Sequence, residues 1–192
     1  MASHIWEFVK AALRNPMEVS TVFPTSEALA NTLLNHADLQ KAQVVIEVGA
    51  GTGAITKHLV QRLENHQKYI GVELDPQMIA YLRQNYPQLK FEIGPAENLK
   101  NWTGPNSVDV VISSLPWTVF SDQIQENTIS AIYNSLKPGG IFVTYICVNA
   151  IWYPQARSFI HRLKDNFGEV YRSPIEWKNI PPAYIFKVQK PV

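Results

Sequence analysis

The sequence predicts an α/β fold with a doubly wound, mostly parallel sheet of seven strands that ends in an antiparallel hairpin. Three observations predict it. Short runs rich in Val, Ile, Phe and Tyr alternate with helical patterns, a rhythm that is typical of βαβ units. A glycine-rich turn directly follows the first of these runs. Two further runs near the C-terminus stand too close together for a helix between them, which favours an antiparallel pair.

The elements follow in a regular order along the chain. Strands are predicted at residues 43–49, 68–73, 89–94, 108–114, 140–148, 169–177 and 183–190. Helices are predicted from Ile55 to Leu63, from Asp75 to about Asn85, from Ser121 or Asp122 to Lys137, and over residues 155–167. Asp75 followed by Pro76 is a typical helix start, whereas Pro138 and the two glycines after it stop a helix and turn the chain.

An N-terminal helical extension, residues 1–40, is expected before a single sheet domain at 41–192. Within it, residues 4–14 form an amphipathic helix on a helical wheel, with Ile5, Trp6 and Phe8 in one arc and Glu7, Lys10 and Arg14 opposite. Two interpretations stay open for this helix. It packs on its own domain, or it lies on a layer of lipid headgroups.

The composition limits the class of protein. Apolar residues make up 46% and charged residues 17%, which argues against disorder. A lone cysteine, Cys147, excludes a disulfide framework and a thiolate metal cluster. No apolar run reaches about 18 residues and no signal peptide is recognisable, so we expect a cytoplasmic protein, soluble or peripheral on the inner face of the membrane. A net charge of +1 weakens any nucleic-acid interpretation.

The stretch VVIEVGAGTG, residues 44–53, places three glycines at the carboxyl end of the first strand, where open α/β sheets bind ligands. Glu73 ends the second strand and can accept both hydroxyls of a ribose. A dinucleotide site fits this spacing too, but Glu47, just before the glycines, would repel a pyrophosphate. It would suit a ligand that carries an ammonium and a sulfonium.

The run EVGAGTG together with Glu73 resembles the cofactor site of class I S-adenosylmethionine-dependent methyltransferases, a Rossmann-like family. The resemblance implies that the glycine turn holds the methionine part of the cofactor, that Glu73 binds its ribose and that the segment after FEIG contacts adenine. The implied cofactor residues are Glu47, Gly49, Ala50, Gly51, Thr52, Gly53, Glu73, Leu74, Ala96, Glu97 and Ser114. No metal is implied.

The loop after the fourth strand, Ser114 to Trp117, resembles the NLPY loop of rRNA adenine dimethyltransferases, with serine in place of asparagine and tryptophan in place of tyrosine. More of the chain resembles the small bacterial phospholipid N-methyltransferases, which methylate phosphatidylethanolamine. That resemblance rests on NPMEVSTVFPTSEALA, the SLP loop, PGGIFVTY and WKNIPPA. It implies a phospholipid acceptor and attachment to the membrane through the N-terminal helix.

The catalytic candidates are Ser114, Leu115, Pro116, Trp117 and Tyr145. Trp117 is predicted to face the substrate, and Trp117, Tyr145, Trp152 and Tyr153 are the candidates for an aromatic cage around the methylated ammonium. Three proton acceptors stay open: Tyr145, Glu47 and the lipid phosphate. So do three other functions, namely RNA adenine methylation, methylation of a small molecule, and non-catalytic binding.

Overall fold

The structure is a computed structural model that describes residues 25–64 and 68–192. The amphipathic helix predicted at about residues 4–14 lies outside the described residues. The helices are α1 (Glu27–Asn35), α2 (Thr56–Leu59), α3 (Pro76–Asn85), α4 (Asp122–Ser135) and α5 (Pro154–Phe167), with short 3-10 turns at Leu39–Lys41, Ala96–Asn101 and Val148–Ala150. The strands are β1 (Val45–Val48), β2 (Tyr69–Glu73), β3 (Lys90–Ile93), β4 (Val108–Ser113), β5 (Leu136–Cys147), β6 (Tyr171–Arg172) and β7 (Ala183–Gln189).

The strands form one seven-stranded sheet in the order β3-β2-β1-β4-β5-β7-β6. Its first five strands are parallel neighbours, and β7 pairs antiparallel with both β5 and β6. The predicted mostly parallel sheet with an antiparallel C-terminal end is therefore confirmed. The switch point of the order lies between β1 and β4, next to the glycine turn.

Several predicted elements are shorter in the structure. Strand β6 has two residues instead of nine, because Pro174 has no N–H for a ladder and only an isolated bridge from Glu176 to Ala183 follows. Helix α2 has four residues and does not reach Leu63. Helix α4 ends at Ser135, since Leu136 already has extended backbone angles ahead of Pro138.

Apolar side chains fill both faces of the sheet. Helices α4 and α5 cover one face through residues such as Ile129, Phe159 and Leu163, together with Phe142 of β5. Helices α1 to α3 cover the other face, where Leu29 and Leu33 of α1 are fully buried. Helix α1, part of the segment predicted as an extension, thus shares a core with the sheet. Among the described residues, every helix is too short or too polar to span a bilayer.

Candidate active site

The glycine turn after β1 is fixed by backbone hydrogen bonds. Gly49 has φ 78° and its N–H donates to the carbonyl of Val72 at 2.8 Å, which ties the turn to β2. A Cβ on Gly49 would lie 2.9 Å from Cδ2 of Leu115. The positive φ and this close approach both require glycine. The turn is therefore shaped by the loop that follows β4 as much as by its own sequence.

Glu73, at the end of β2, holds the turn from the other side. Its Oε2 accepts a hydrogen bond from the N–H of Gly51 at 2.9 Å, and its Oε1 accepts from Leu74 and Asp75 at 2.7 and 3.0 Å. The side chain is 3% exposed. Three N–H donors hold this side chain in one position, and its oxygens keep lone pairs that a ligand hydroxyl can use.

The loop Ser114–Pro116 packs directly on the glycine turn. The hydroxyl of Ser114 donates to the carbonyl of Gly49 at 2.5 Å. A cavity of about 30 Å³ remains between this loop, Gly49, Glu73 and Ala96. Ligand pockets measure roughly 300 to 1,000 Å³, so this cavity by itself encloses only part of a nucleoside-sized ligand.

Glu47 lies behind the turn and is fully buried. Its Oε2 accepts hydrogen bonds from Thr56 at 2.8 Å and from Tyr69 at 2.6 Å. Burial raises the pKa of this carboxyl from an ordinary 4.5 to about 7, against the lowering effect of the two hydroxyl donors. Its other oxygen, Oε1, is buried and has no hydrogen-bond partner among the described residues. Glu47 does not line the 30 Å³ cavity.

Tyr69 and Thr56 are the partners of Glu47 that the sequence analysis did not identify. The Tyr69 side chain passes over Gly71 to reach the Glu47 carboxylate. A Cβ on Gly71 would lie 2.6 Å from the Tyr69 hydroxyl oxygen, so glycine at this position leaves room for the phenol. A glycine inside the strand KYIGVE is a signal for such a close approach. Burial, followed by the Glu47 charge, raises the pKa of Tyr69 well above its ordinary value, so the phenol remains a donor.

Trp117 was predicted to face the substrate, and the structure corrects this. The side chain is 1% exposed and stacks on Phe159 with ring centroids 4.3 Å apart. Its Nε1 donates to Thr144 at 2.9 Å. The ring lies in the core between the sheet and α5, where it also contacts Phe120 and Phe142. Trp117 supports the loop from below.

Tyr145 of β5 lies on the α1 face of the sheet. Its hydroxyl shares a hydrogen bond of 2.9 Å with Thr25. Burial raises the pKa of Tyr145 to about 12. A phenol with this pKa stays protonated at neutral pH, so Tyr145 is a poor proton acceptor there.

The segment after β3 places its two predicted cofactor residues differently. Ala96 lines the 30 Å³ cavity together with Gly94 and Pro95, whereas Glu97 lines a separate groove of about 580 Å³ between the turn at Ala96–Asn101 and α4. The contact of Glu97 with adenine stays a prediction. The smaller cavity is the better site candidate because the carboxyl ends of parallel strands surround it.

The remaining predicted cofactor residues belong to the turn or its flanks. Ala50 is buried, Gly53 donates to the carbonyl of Ala50 at 2.9 Å, Leu74 lines the cavity and Thr52 is exposed. Val72, Gly94 and Pro95 line the cavity and were not singled out as site residues. Within the described part of the chain, no group of three His, Cys, Asp or Glu side chains is placed to hold a metal ion.

The profile of a family described as "Methyltransferase domain" matches residues 45–140, from β1 into β5. The chain is also 26% identical over 182 residues to an ornithine lipid N-methyltransferase from Singulisphaera acidiphila, and this match covers 92% of the chain and 91% of that enzyme. It is 30% identical over 110 residues to a ribosomal RNA small subunit methyltransferase A from Flavobacterium johnsoniae, covering 56% of the chain and only 41% of that protein.

A crystal structure with a similar fold is that of a phosphoethanolamine N-methyltransferase 2 from Haemonchus contortus in complex with phosphomonomethylethanolamine and S-adenosylhomocysteine. The TM-score is 0.66 at 15% identity, and the match covers 88% of this chain and 54% of that one. At this identity, the likeness shows the fold alone.

Proposed function

This chain belongs to the methyltransferase-domain family and uses S-adenosylmethionine, and from this premise we propose that it methylates the headgroup amine of a membrane lipid, phosphatidylethanolamine. One observation carries a lipid amine as the acceptor: the match to the ornithine lipid N-methyltransferase spans 92% of this chain and 91% of that enzyme. Phosphatidylethanolamine is proposed from the sequence resemblance to the phospholipid N-methyltransferases. The chain spans 41% of the ribosomal RNA enzyme, so that likeness is limited to part of the longer protein.

The residues of the glycine turn fit the cofactor. The buried Oε1 of Glu47, which has no hydrogen-bond partner in the described part of the chain, is an acceptor that a ligand ammonium can satisfy, and a positive charge there would offset the cost of burying the carboxylate. We propose that Glu47 and Gly49 hold the methionine part and that Glu73 holds the ribose hydroxyls. When bound, the cofactor supplies an electrophilic methyl group.

The loop after β4 is proposed to orient the acceptor amine. Ser114, Leu115 and Pro116 line the cavity at the carboxyl end of β4. A direct displacement needs alignment of donor and acceptor, without a covalent intermediate on the protein. Backbone carbonyls of this loop and the Ser114 hydroxyl are acceptors that can point the nitrogen lone pair toward the methyl group.

The amine must be neutral to react. With a pKa of about 10.4, as for lysine, the free base costs roughly 4 to 5 kcal/mol at neutral pH. Of the three proton acceptors considered, Tyr145 stays protonated because its pKa is raised to about 12, and the free oxygen of Glu47 is assigned to the cofactor ammonium. The lipid phosphate is the remaining one. We propose that desolvation in the cleft, rather than a protein base, favours the neutral amine, whose proton passes to the lipid phosphate or to water before the methyl group is transferred.

The experiment uses full-length protein with methyl-labelled S-adenosylmethionine and three acceptors in parallel: phosphatidylethanolamine vesicles, ornithine-lipid vesicles and total RNA. Label in phosphatidylethanolamine supports the proposal. Label in ornithine lipid alone would show that ornithine lipid, and not phosphatidylethanolamine, is the acceptor. Label in RNA alone would refute a lipid acceptor. A Gly49→Val variant serves as the control, because loss of the glycine turn should abolish labelling of every acceptor.

We also propose that the amphipathic segment 5–14 attaches the protein to the membrane. Its support is the separation of apolar and charged residues along the segment. A variant without residues 1–14 should bind vesicles more weakly while it binds S-adenosylmethionine as the full chain does. Equal vesicle binding by the two proteins would refute this attachment.

A further inference from the structure

Large apolar side chains are exposed mainly at one edge of the molecule. Of the eight large hydrophobic residues that are exposed in the described part of the chain, five lie at the carboxyl edge of the parallel strands: Ile93, Trp152, Tyr153, Trp177 and Ile180. Trp152, Trp177 and Ile180 are 72%, 70% and 77% exposed. Exposed apolar residues in such a concentration mark an interaction surface.

Four of these residues come from two adjacent loops. Cys147 at the end of β5 pairs with Ala183 at the start of β7, and the N–H of Val148 donates to the carbonyl of Pro182 at 2.7 Å. The loop after β5 and the loop before β7 therefore leave the sheet side by side. We define the edge patch as Trp152 and Tyr153 from the first loop and Trp177 and Ile180 from the second.

The second loop is held in place by buried polar contacts. Asn179 is 2% exposed, accepts a hydrogen bond from the N–H of Ser26 at 2.9 Å and donates to the carbonyl of Pro181 at 2.7 Å. Glu176 accepts a hydrogen bond from Thr32 of α1 at 2.8 Å. Within WKNIPPA, the buried Asn179 thus anchors the loop and leaves Trp177, Lys178 and Ile180 directed to solvent. The exposure of these side chains is built into the fold.

The first described residues add a second observation. Thr25 bonds to Tyr145 near the end of β5, and Ser26 bonds to Asn179, so both lie beside the edge patch. Residues 1–24 precede them in the chain. This segment contains the amphipathic residues 5–14, for which a lipid surface is the proposed partner.

The chemistry of the patch fits the interfacial layer of a bilayer. Trp and Tyr rings prefer the headgroup level, where one part of the ring is apolar and the other is hydrated. The exposed cations Arg157 and Lys178 flank the patch, while the nearby acid Glu176 is engaged with Thr32. Aromatic residues with flanking cations favour a membrane that contains anionic phospholipid.

We propose that the edge patch is a membrane-contacting surface that inserts into the headgroup layer of an anionic phospholipid bilayer, next to the cleft formed by Gly49, Glu73 and Ser114. The inference rests on the proposed lipid function and adds the orientation of the protein on the membrane. With the carboxyl edge against the membrane, a lipid headgroup enters the cleft while its acyl chains stay in the bilayer. The cost of extracting the lipid is then avoided.

The test measures binding of full-length protein to vesicles of phosphatidylethanolamine and phosphatidylglycerol, without cofactor. The triple variant Trp152→Ala/Trp177→Ala/Ile180→Ser should bind at least about tenfold more weakly than the unmodified chain. The matched control, Tyr81→Ala/Val192→Ser, removes exposed apolar residues from other faces and should bind as the unmodified chain does. Equal binding by the triple variant would overturn the proposal.

A second measurement identifies what covers the patch. In a Trp6→Phe background, brominated lipids in the vesicles should quench the tryptophan fluorescence, and the further changes Trp152→Phe and Trp177→Phe should remove this quenching. Quenching that appears only after deletion of residues 1–14 would show that the N-terminal segment covers the patch, and it would also overturn the proposal.

Activity separates this inference from the function on which it rests. The triple variant should methylate vesicle phosphatidylethanolamine more slowly. The double variant Trp177→Ala/Ile180→Ser, which keeps the predicted cage residue Trp152, should methylate a dispersed short-chain phosphatidylethanolamine at the unmodified rate. If the unmodified chain methylates neither lipid, the proposed function fails, whereas the vesicle-binding result still decides on the patch. If it methylates both and the triple variant matches it on vesicles, the patch alone is refuted.

Discussion

The two halves of the sheet's carboxyl edge are built in opposite ways. In the glycine-turn half, at the ends of β1 to β4, the carboxylates of Glu47 and Glu73 are 0% and 3% exposed and are held by hydrogen bonds. In the hairpin half, at the end of β5 and the start of β7, Trp152 and Trp177 are 72% and 70% exposed. A small charged ligand requires fixed polar contacts, whereas a large surface partner requires apolar area that remains accessible.

Replacing tryptophans provides the strongest contrast between the buried interior and the exposed edge. Trp117→Ala should lower the free energy of unfolding by about 3 to 5 kcal/mol, because a large stacked ring leaves a cavity. Trp177→Ala should change it by no more than about 0.5 kcal/mol, since the side chain is exposed. Urea denaturation of both variants measures this. A Trp117→Ala protein that is as stable as the unmodified chain but has lost methyl transfer would support the predicted contact between Trp117 and the substrate.

The pH dependence of stability tests the burial of Glu47. Since its pKa is raised in the folded state from 4.5 to about 7, the folded protein holds this proton more tightly than the unfolded chain does. Stability from this group is therefore complete below pH 4.5 and is lost as the pH rises through about 7, by about 3 kcal/mol in total. Urea denaturation of the cofactor-free protein between pH 5 and 8 measures the decline. Glu47→Gln should remove it, and an unchanged decline would assign it to another group.

Substitutions at two glycines with positive φ distinguish the role of the glycine turn in cofactor binding from the general cost of backbone strain. Gly49 has φ 78° and contacts Leu115, whereas Gly168 has φ 84° and no atom within 4 Å of an added Cβ. Gly49→Val should weaken binding of S-adenosylmethionine by about 100-fold, or about 2.7 kcal/mol. Gly168→Val should cost about 1 to 2 kcal/mol of stability and leave the affinity unchanged. Calorimetric titration decides, and equal affinities for the two variants would contradict the role of the turn.

The smallest effect distinguishes two acids at the ends of neighbouring strands. Glu73→Gln should weaken binding of S-adenosylmethionine by roughly tenfold, because the amide carries one acceptor oxygen where the carboxylate serves three N–H donors with two. Glu97→Gln should change the affinity by less than about twofold, since Glu97 lines a separate groove. A larger loss for Glu97→Gln than for Glu73→Gln would reverse this assignment and support the predicted adenine contact.

Local patterns in the sequence determined the order of strands and helices and the place of the cleft. The glycines of the turn need positive φ whatever surrounds them, and Asp75 with Pro76 starts a helix through contacts within four residues. Glu73 was predicted as a site residue from its position at the end of a strand. Such features depend on neighbours along the chain, so a single sequence is enough to predict them.

The direction of individual side chains was decided by the tertiary structure. Trp117 follows a loop at the cleft, but its ring lies in the core because it stacks on Phe159 and donates a hydrogen bond to Thr144. Glu47 points to Tyr69 because Gly71, 24 residues away in sequence but next to it in the sheet, leaves room for the phenol. In WKNIPPA, Asn179 is buried and bonded to Ser26. The loop is held in this way, and Trp177 then lies on the solvent side. These outcomes depend on which distant residues share a face, and periodicity along one chain carries no information about that packing.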